Sequence, residues 1–419
     1  MRRFVEPILA FFARRIVAKY EPKIVGITGS VGKTSTRAAV FAVLSQRYSA
    51  YTPPKNLNDK IGLPLGIIGM DSPGKSMIGW AKVLARALSL LLFRQKYPEV
   101  LVLEYGIDRV GEMGQLLAIA VPQVSVLTSI GFSHYEFFSD IETVAREKSR
   151  ILEALPASGI AVLNGDDERV LAQSGKAKGL VITYGHTSQT VDLLEQTEIF
   201  TDTPATTLRM RTPRFSLTAR LSALGAPHVS AGLAAVAVAE ALGVEESAVV
   251  RGLAAYRPVP GRLHILGGVR RSWVIDDTYN ASPDSMREAL ALLGRFPGAH
   301  KLAVLGDMLE LGAVSDAEHQ AIGRQAASLG VNHLVTVGPS GKIIAEAALA
   351  AGLPEERVIS FDTSAQATVT VQELMREGSV VLVKGSQGVR MERITKEIMA
   401  EPMRAGDLLC RQYGTWLRQ

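Results

Sequence analysis

The chain has 419 residues, is 47% hydrophobic and 21% charged, and carries a formal charge of +5 with a pI near 9.2. This length exceeds one usual domain, so two or three are expected, and the composition belongs to a globular chain with a sizeable core and not to a disordered one. The mild positive balance suits anionic substrates or an anionic surface, but no basic block is interleaved with aromatics, which argues against nucleic acid; the single cysteine, Cys410, excludes a disulfide framework and a cysteine zinc site and fits a reducing cytoplasm.

In residues 1–21, Arg2, Arg3, Arg14, Arg15 and Lys19 alternate with Phe4, Ile8, Leu9, Phe11, Phe12, Ile16 and Val17. The apolar run between the arginine pairs is too short to span a bilayer, and the long apolar core and cleavage site of a signal peptide are lacking. An amphipathic helix is expected, either packed on the first domain or lying on a membrane as a peripheral contact. Ile24-Val25-Gly26-Ile27 then reads as a strand, Thr28-Gly29-Ser30-Val31-Gly32-Lys33-Thr34 as a glycine-rich turn, and Ser35 to Val40 as the start of a helix. Such a turn aims several backbone N–H groups and a helix N-terminus at one point, which makes a phosphate site. Lys33 adds a point charge for the outer phosphates and the Thr34 hydroxyl a ligand for Mg²⁺. Ile27 stands where the general pattern has its first glycine. The apolar stretch Val83 to Phe93, interrupted by Arg86, is read as a core helix.

Strand-like runs follow at 100–103, 124–127, 160–163 and 181–184, alternating with helical patterns, and Glu104, Thr128 and Asn164 fall at their ends. That alternation predicts a parallel α/β sheet, in which ligands sit beyond the carboxyl ends of the strands. From about Asp192 to Leu221 the pattern becomes alternating, as in a small antiparallel insertion, and an alanine-rich helix is expected from about Val229 to Leu242. Tyr256 to Arg262, with its prolines and glycine, reads as a linker. A second α/β series begins at Trp273 and continues through Leu302–Asp307, Leu334–Gly338 and Val380–Ser386. The expectation is an α/β protein: an amphipathic helix over 1–21, a central phosphate-loop ATPase domain over 22–260 with a parallel sheet and small antiparallel insertion, and a C-terminal Rossmann-like domain over 261–419.

Polar clusters sit where strands should end: Asn56 to Pro64, Glu104 to Asp108, Gly131 to His134, Glu147-Lys148-Ser149, Gly261-Arg262-Leu263, Asp276 to Asn280, Asp307 through Gly312, and Lys384-Gly385-Ser386. Their order and spacing, over about Lys23 to Met399, resemble those of the Mur ligases. The resemblance implies a cytoplasmic, monomeric, ATP-dependent and ADP-forming ligase that joins a carboxylate to an amine through an acyl phosphate in peptidoglycan precursor synthesis. Its implied substrates are a muramoyl peptide and D-alanyl-D-alanine, its cofactors ATP and Mg²⁺.

The resemblance also assigns roles. Thr28, Gly29, Ser30, Gly32, Lys33, Thr34 and Ser35 would hold the nucleotide with Arg262, Asp277 and Asn280. Thr34, Glu104, His134 and Lys148 would hold metal, Lys148 as a carbamate, and Lys33, Lys148 and His134 would be catalytic. Asn56 and Asn58 would line the acyl-substrate channel, and Asp307, Lys384 and Ser386 the amine pocket, with Asp316 and His319 just beyond. Read without the family, Glu104 is a polar strand terminus, His134 a structural histidine and Lys148 a surface lysine. Three further departures stand beside Ile27: the phosphate loop begins too early to leave room for a UDP-sugar domain, Lys60 occupies a position usually acidic, and Ala231, near His228, replaces an adenine-contacting asparagine. Alternatives are the same chemistry on a lipid-linked, partner-bound or folate-like acyl substrate, and a non-catalytic ATP-binding regulator.

Overall fold

A computed structural model describes residues 2–131, 135–138, 140–186, 190–414 and 416. Its first sheet contains β1 (Lys23–Thr28), β2 (Ala50–Tyr51), β3 (Val100–Glu104), β4 (Val124–Leu127), β5 (Ile160–Asn164), β6 (Leu180–Gly185), β7 (Val191–Ile199), β8 (Ala205–Arg211) and β9 (Ser216–Leu221), in the order β2-β3-β1-β4-β5-β6-β7-β8-β9. Pairing is parallel from β2 to β7 and antiparallel across β7-β8-β9. β3 is buried along its whole length, which is why it reads as an unbroken apolar run. β9 alternates, with Leu217, Ala219 and Leu221 inward. The antiparallel segment expected from about Asp192 to Leu221 is β7-β8-β9, and it extends the central sheet, β7 pairing with β6 at Tyr184↔Val191.

Helices α1 (Arg2–Tyr20), α2 (Lys33–Leu44), α3 (Gly62–Ile68), α4 (Met77–Leu92), α5 (Glu112–Leu117) and α6 (Ile141–Glu153) belong to this first body. α2 and the helix Ala226–Ala241 cover one face in a core that includes Val40, Val43, Leu233 and Val236. α1, α3, α4, α5 and α6 share the core on the other face, through Leu9, Leu65, Val83, Met113 and Ile151. The stretch Val83 to Phe93 is not the core helix expected. It belongs to α4, which lies on the surface and buries only Val83, Ala87 and Leu90.

The second sheet contains β10 (His264–Gly268), β11 (Ser272–Asp277), β12 (Lys301–Gly306), β13 (His333–Val337), β14 (Val358–Phe361) and β15 (Val380–Lys384), ordered β10-β11-β15-β12-β13-β14. Only β10 runs antiparallel to its neighbour. Helices Pro283–Arg295, Ser315–Ser328 and Pro339–Ala350 fill one face, and Ser364–Leu374 and Glu392–Ile398 the other.

The linker ends firmly on this second body. Gly261 has φ 75°, the left-handed region that glycine tolerates, and a Cβ there would stand 2.9 Å from the Tyr279 nitrogen. Its N–H donates to Asp276 Oδ2 at 2.9 Å and its carbonyl accepts from the Tyr279 N–H at 3.0 Å. Any hinge motion therefore falls on 257–260, where Pro258 and Pro260 stand. Burial pushes the Asp276 carboxyl up to about 7, opposed by the bonds it accepts from Thr278, Gly261 and Thr395.

Candidate active site

β1 lies between β3 and β4, so the chain leaves its carboxyl end at a point where connections diverge to both sides. The turn after Thr28 occupies that crevice. Gly29 packs so closely on β4's end that a Cβ would meet Thr128 Oγ1 at 2.0 Å, and Gly32 has φ 87° immediately before α2. The turn is pinned from outside: Ser30 Oγ donates to the Gly131 carbonyl at 3.0 Å, the Val31 N–H donates to Ser129 Oγ at 2.8 Å, and Thr128 Oγ1 donates to the Val31 carbonyl at 2.6 Å. Such a turn presents its amides in fixed directions, with no reorganisation needed to meet an anion.

A cavity of about 330 Å³ opens between the two bodies. From the first it is lined by Ser30, Gly32, Lys33, Thr34 and Ser35, by Asn56 and Asn58, and by Glu104; from the second by Arg262, Asp277, Asn280 and Lys384. Thr28 and Gly29 lie beneath it, Thr28 Oγ1 donating to the Tyr105 carbonyl at 2.8 Å. Lys33 Nζ donates to the Gly29 carbonyl at 2.6 Å, and Lys148 Nζ, from α6, donates to the same oxygen at 3.2 Å. Burial lowers the pKa of both ammoniums, Lys148 well below the ordinary value, and the charge of Lys33 lowers Lys148 further. Lys148 does not line the cavity and is no surface lysine: it is 1% exposed.

A second cavity, of about 290 Å³, shares Lys33, Asn58 and Asp108 with the first. Its other walls include Glu6 from α1, Asp59, Lys60 and Ile61 from the loop before α3, and Glu112 from α5. Lys60, placed where an acid is usual, has its Nζ 3.7 Å from Glu112 Oε1 at the rim.

The second body's contribution is ordered by its own register. Asp277 and Lys384 are partners in the β11–β15 ladder, and their side chains form an ion pair of 2.6 Å, 7% and 1% exposed. Lys384 Nζ also donates to the Asn280 carbonyl at 3.0 Å, and Asp277 Oδ1 accepts from the Leu263 N–H at 3.1 Å. Removing one partner of such a pair strands a buried charge, at a typical cost of about 3–5 kcal/mol. Arg262 stacks over the Tyr279 ring at 4.1 Å, and its buried Nε has no hydrogen-bond partner among the described residues.

Two residues expected in the amine pocket do not reach the cavity. Asp307 turns away, Oδ1 accepting from the Gly341 N–H at 2.7 Å, and Ser386 Oγ accepts from the Leu309 N–H at 2.9 Å. Together they brace the turn that carries Leu309 and Glu310 to the cavity wall. His319 is buried with Nε2 accepting from the Met308 N–H at 3.0 Å, and Asp316 is exposed. Ala231 does not reach the cavity either: it is fully buried in the core of the first body. His228, one turn earlier, does line the cavity, with Nδ1 2.7 Å from the Tyr256 hydroxyl and Nε2 3.0 Å from the Arg262 carbonyl. Burial holds its pKa down at about 4. His134 lies outside the described residues.

Among the described residues no group of three or more His, Cys, Asp or Glu side chains could hold a metal unaided. The donors that are present nevertheless fit Mg²⁺, which takes oxygen ligands and is usually held by one or two carboxylates with substrate phosphates. Thr34 supplies a hydroxyl at the cavity wall, and the Glu104 carboxylate, 2% exposed, lines the same cavity. Glu104 is oriented by Arg37, whose Nε is 3.1 Å away, and by Asn58 Nδ2 at 3.3 Å. Arg37 was not read from the sequence, although it stands one helical turn after Lys33 on the same helix. It also donates to the carbonyls of Pro53 and Lys55, so it ties α2, the end of β3 and the start of the Asn56 loop together. Tyr279 was missed as well: its hydroxyl accepts from Asn56 Nδ2 at 2.7 Å and bridges the two bodies.

Comparison with known proteins bears on this arrangement. The family model for the Mur ligase middle domain matches residues 27–239, and that for the Mur ligase glutamate ligase domain matches residues 261–387. A protein of Mycobacterium leprae named UDP-N-acetylmuramoyl-tripeptide–D-alanyl-D-alanine ligase is 31% identical over 409 residues, covering 90% of this chain and 74% of that one. A crystal structure of MurF from Acinetobacter baumannii superimposes with a TM-score of 0.78 at 28% identity, over 95% of this chain and 80% of that one. MurF ligase from Thermotoga maritima, solved in complex with ADP, gives a TM-score of 0.77 at 26% identity, over 94% and 83%.

Proposed function

The chain belongs to the Mur ligase family, and from that premise we propose that it adds D-alanyl-D-alanine to a UDP-muramoyl tripeptide in peptidoglycan precursor synthesis. It is an ATP-dependent, ADP-forming amide ligase. In this reading the turn 29–35 holds the ATP phosphates, with Arg262, Asp277 and Asn280 along the nucleotide. The second cavity takes the acyl substrate past Asn56 and Asn58, and Lys384 with the turn braced by Asp307 and Ser386 borders the incoming amine.

A carboxylate oxygen of the tripeptide attacks the γ-phosphorus and ADP leaves. The amine of D-alanyl-D-alanine then attacks the acyl carbon, loses a proton, and inorganic phosphate departs with the oxygen that came from the carboxylate. Bringing two anions together is the difficulty, and positive charge in a site closed to water is the remedy. Lys33 faces both chambers, and Arg262 approaches from the other body. Thr34 and Glu104 would hold Mg²⁺, with His134 and a carbamylated Lys148 as further ligands. When bound, the metal offsets phosphate charge.

The observation that carries this reading is the sharing of Lys33, Asn58 and Asp108 between the two cavities, which sets one lysine between nucleotide and acyl chambers. The functional units proposed are the helix 1–21, an ATP-binding unit 22–260 and an amine-binding unit 261–419, working as a cytoplasmic monomer. Relatives named for D-alanyl-D-alanine addition favour that amine over a folate-type or purely regulatory role.

The test is ADP release against a matrix of acceptors, muramoyl tripeptides with and without UDP, and of amines, D-alanyl-D-alanine, L-alanyl-L-alanine and glutamate. Turnover is expected to require both a tripeptide and D-alanyl-D-alanine. Equal turnover with glutamate and no preference for the D,D-dipeptide would overturn the substrate assignment.

A further inference from the structure

α1 and α4 lie on the same face of the first sheet, because Leu9, Ala13 and Ile16 of one and Val83, Ala87 and Leu90 of the other share one apolar core. Their C-terminal ends meet: Lys19 Nζ donates to the carbonyls of Leu90, Leu91 and Phe93, at 2.9, 2.9 and 3.0 Å, and Tyr20 donates to the Leu90 carbonyl at 2.9 Å. These bonds satisfy carbonyls that a helix end leaves open. The opposite faces of both helices therefore look away from the core together.

Those outer faces are apolar where a surface helix is usually polar. On α4 and just past it, Met77, Ile78, Leu92 and Phe93 are 77, 75, 73 and 64% exposed, with Leu88 between them at 46%. On α1, Ile8 and Phe11 are 44 and 46% exposed, and the Arg15 guanidinium lies 5.5 Å from the Phe11 ring centroid. Large apolar side chains gathered in the open on two packed helices mark something the protein meets. The charge around it says what. Residues 2–20 and 75–96 contain ten lysines and arginines and one acid, Glu6, in a chain whose whole charge is only +5, so the rest of the molecule is net negative. Arg14, Arg15, Lys75, Lys82, Arg94 and Lys96 are exposed.

We propose that α1 and α4 together form a docking surface for an anionic lipid bilayer, the exposed apolar side chains entering the interface and the basic ones meeting lipid phosphates. Interleaved lysine, arginine and large apolar side chains are the composition of interfacial helices, whereas the cores of protein–protein interfaces are depleted of lysine. The contact is peripheral, since no helix of the described residues is long and apolar enough to cross a membrane. Glu6 of α1 lines the second cavity, so the lipid-facing turns of that helix, at Ile8 and Phe11, begin beside the proposed acyl chamber.

The test is flotation of the full chain with vesicles of phosphatidylglycerol and phosphatidylcholine, against vesicles of phosphatidylcholine alone. It is measured without substrates, so its outcome is independent of the ligase reading. The protein is expected to float with anionic vesicles at low salt, to bind neutral ones far more weakly, and to be released at about 0.5 M salt. Combined Lys82→Glu, Arg94→Glu and Lys96→Glu should weaken binding on the order of a hundredfold. Combined Leu88→Ser, Leu92→Ser and Phe93→Ser should abolish flotation while circular dichroism and ADP release stay at parent values, because none of these residues lines either cavity. A parent protein that stays in the aqueous fraction at low salt overturns the proposal. So does flotation undiminished by both sets of substitutions, or a self-association seen by sedimentation that the leucine and phenylalanine substitutions abolish, which would make the face a contact between two copies.

Discussion

Lys33→Ala is expected to lower ADP formation on the order of a hundredfold or more while leaving the fold intact. The argument is electrostatic. Lys33 is the cation at the N-terminus of α2 whose side chain reaches back over the turn to the Gly29 carbonyl, and it borders both cavities. In phosphoryl transfer between anions its charge is worth most at the transition state, when both partners are closest. The variant loses the bond from Lys33 to the Gly29 carbonyl, but the bonds made by Ser30, Ser129 and Thr128 still pin the turn, so the fold is expected to hold. Steady-state ADP release with circular dichroism checks this. A folded variant that turns over at the parent rate would remove the turn from the chemistry.

Lys148→Ala is expected to be inactive to a similar extent and to recover partly with formate or acetate. A carbamate forms when an uncharged amine nitrogen bonds to the carbon of CO₂ and releases a proton, so it needs an amine that gives up its charge readily. Lys148 is of that kind: burial, then the neighbouring Lys33 charge, hold its pKa well below the ordinary value. The product is an anion beside Lys33, which replaces repulsion between two cations with attraction and offers oxygens to a metal. The check is threefold: activity of the variant, its rescue by small carboxylates, and a ¹³C carbamate resonance in parent protein equilibrated with labelled bicarbonate. A variant with parent activity, or a parent with neither resonance nor bicarbonate dependence, contradicts the role.

Local features of the chain were legible wherever a motif and its strand are adjacent. The run from Ile24 to Val40 is strand, turn and helix in the structure as in the sequence, because the glycines at 29 and 32 and the helix start are neighbours in the chain. The second series of strands was legible for the same reason, except for β10 and β14. His264–Gly268 ends in two glycines and Val358–Phe361 has only four residues, so neither offers a period to read.

What could not be read depends on contacts between distant segments. The Arg37–Glu104 pair joins residues 67 positions apart, and Tyr279 and Asn56 meet across 223. Apolar periodicity likewise says that Val83 to Phe93 is helical without saying which face is covered; only the packing of α1 against it shows that Leu88 and Leu92 are left outside. Ala231 belongs to a helix that is buried nearly all round, so a position marked by resemblance as adenine-facing instead fills the core, and His228 stands at the cavity in its neighbourhood. Asp307 and Ser386 were placed by resemblance in the pocket, and their side chains bind backbone instead, Asp307 the Gly341 N–H of the helix Pro339–Ala350 and Ser386 the Leu309 N–H of the adjoining turn.

The central claim is that amide formation passes through an acyl phosphate made between the two cavities. It is tested most directly by following oxygen. A muramoyl tripeptide labelled with ¹⁸O in its terminal carboxylate is incubated with ATP, D-alanyl-D-alanine and the protein, and the inorganic phosphate is analysed by mass spectrometry. An acyl phosphate requires that each turnover carry one carboxylate oxygen into phosphate, so the label should appear there in step with amide product. Amide product accompanied by unlabelled phosphate would contradict the mechanism.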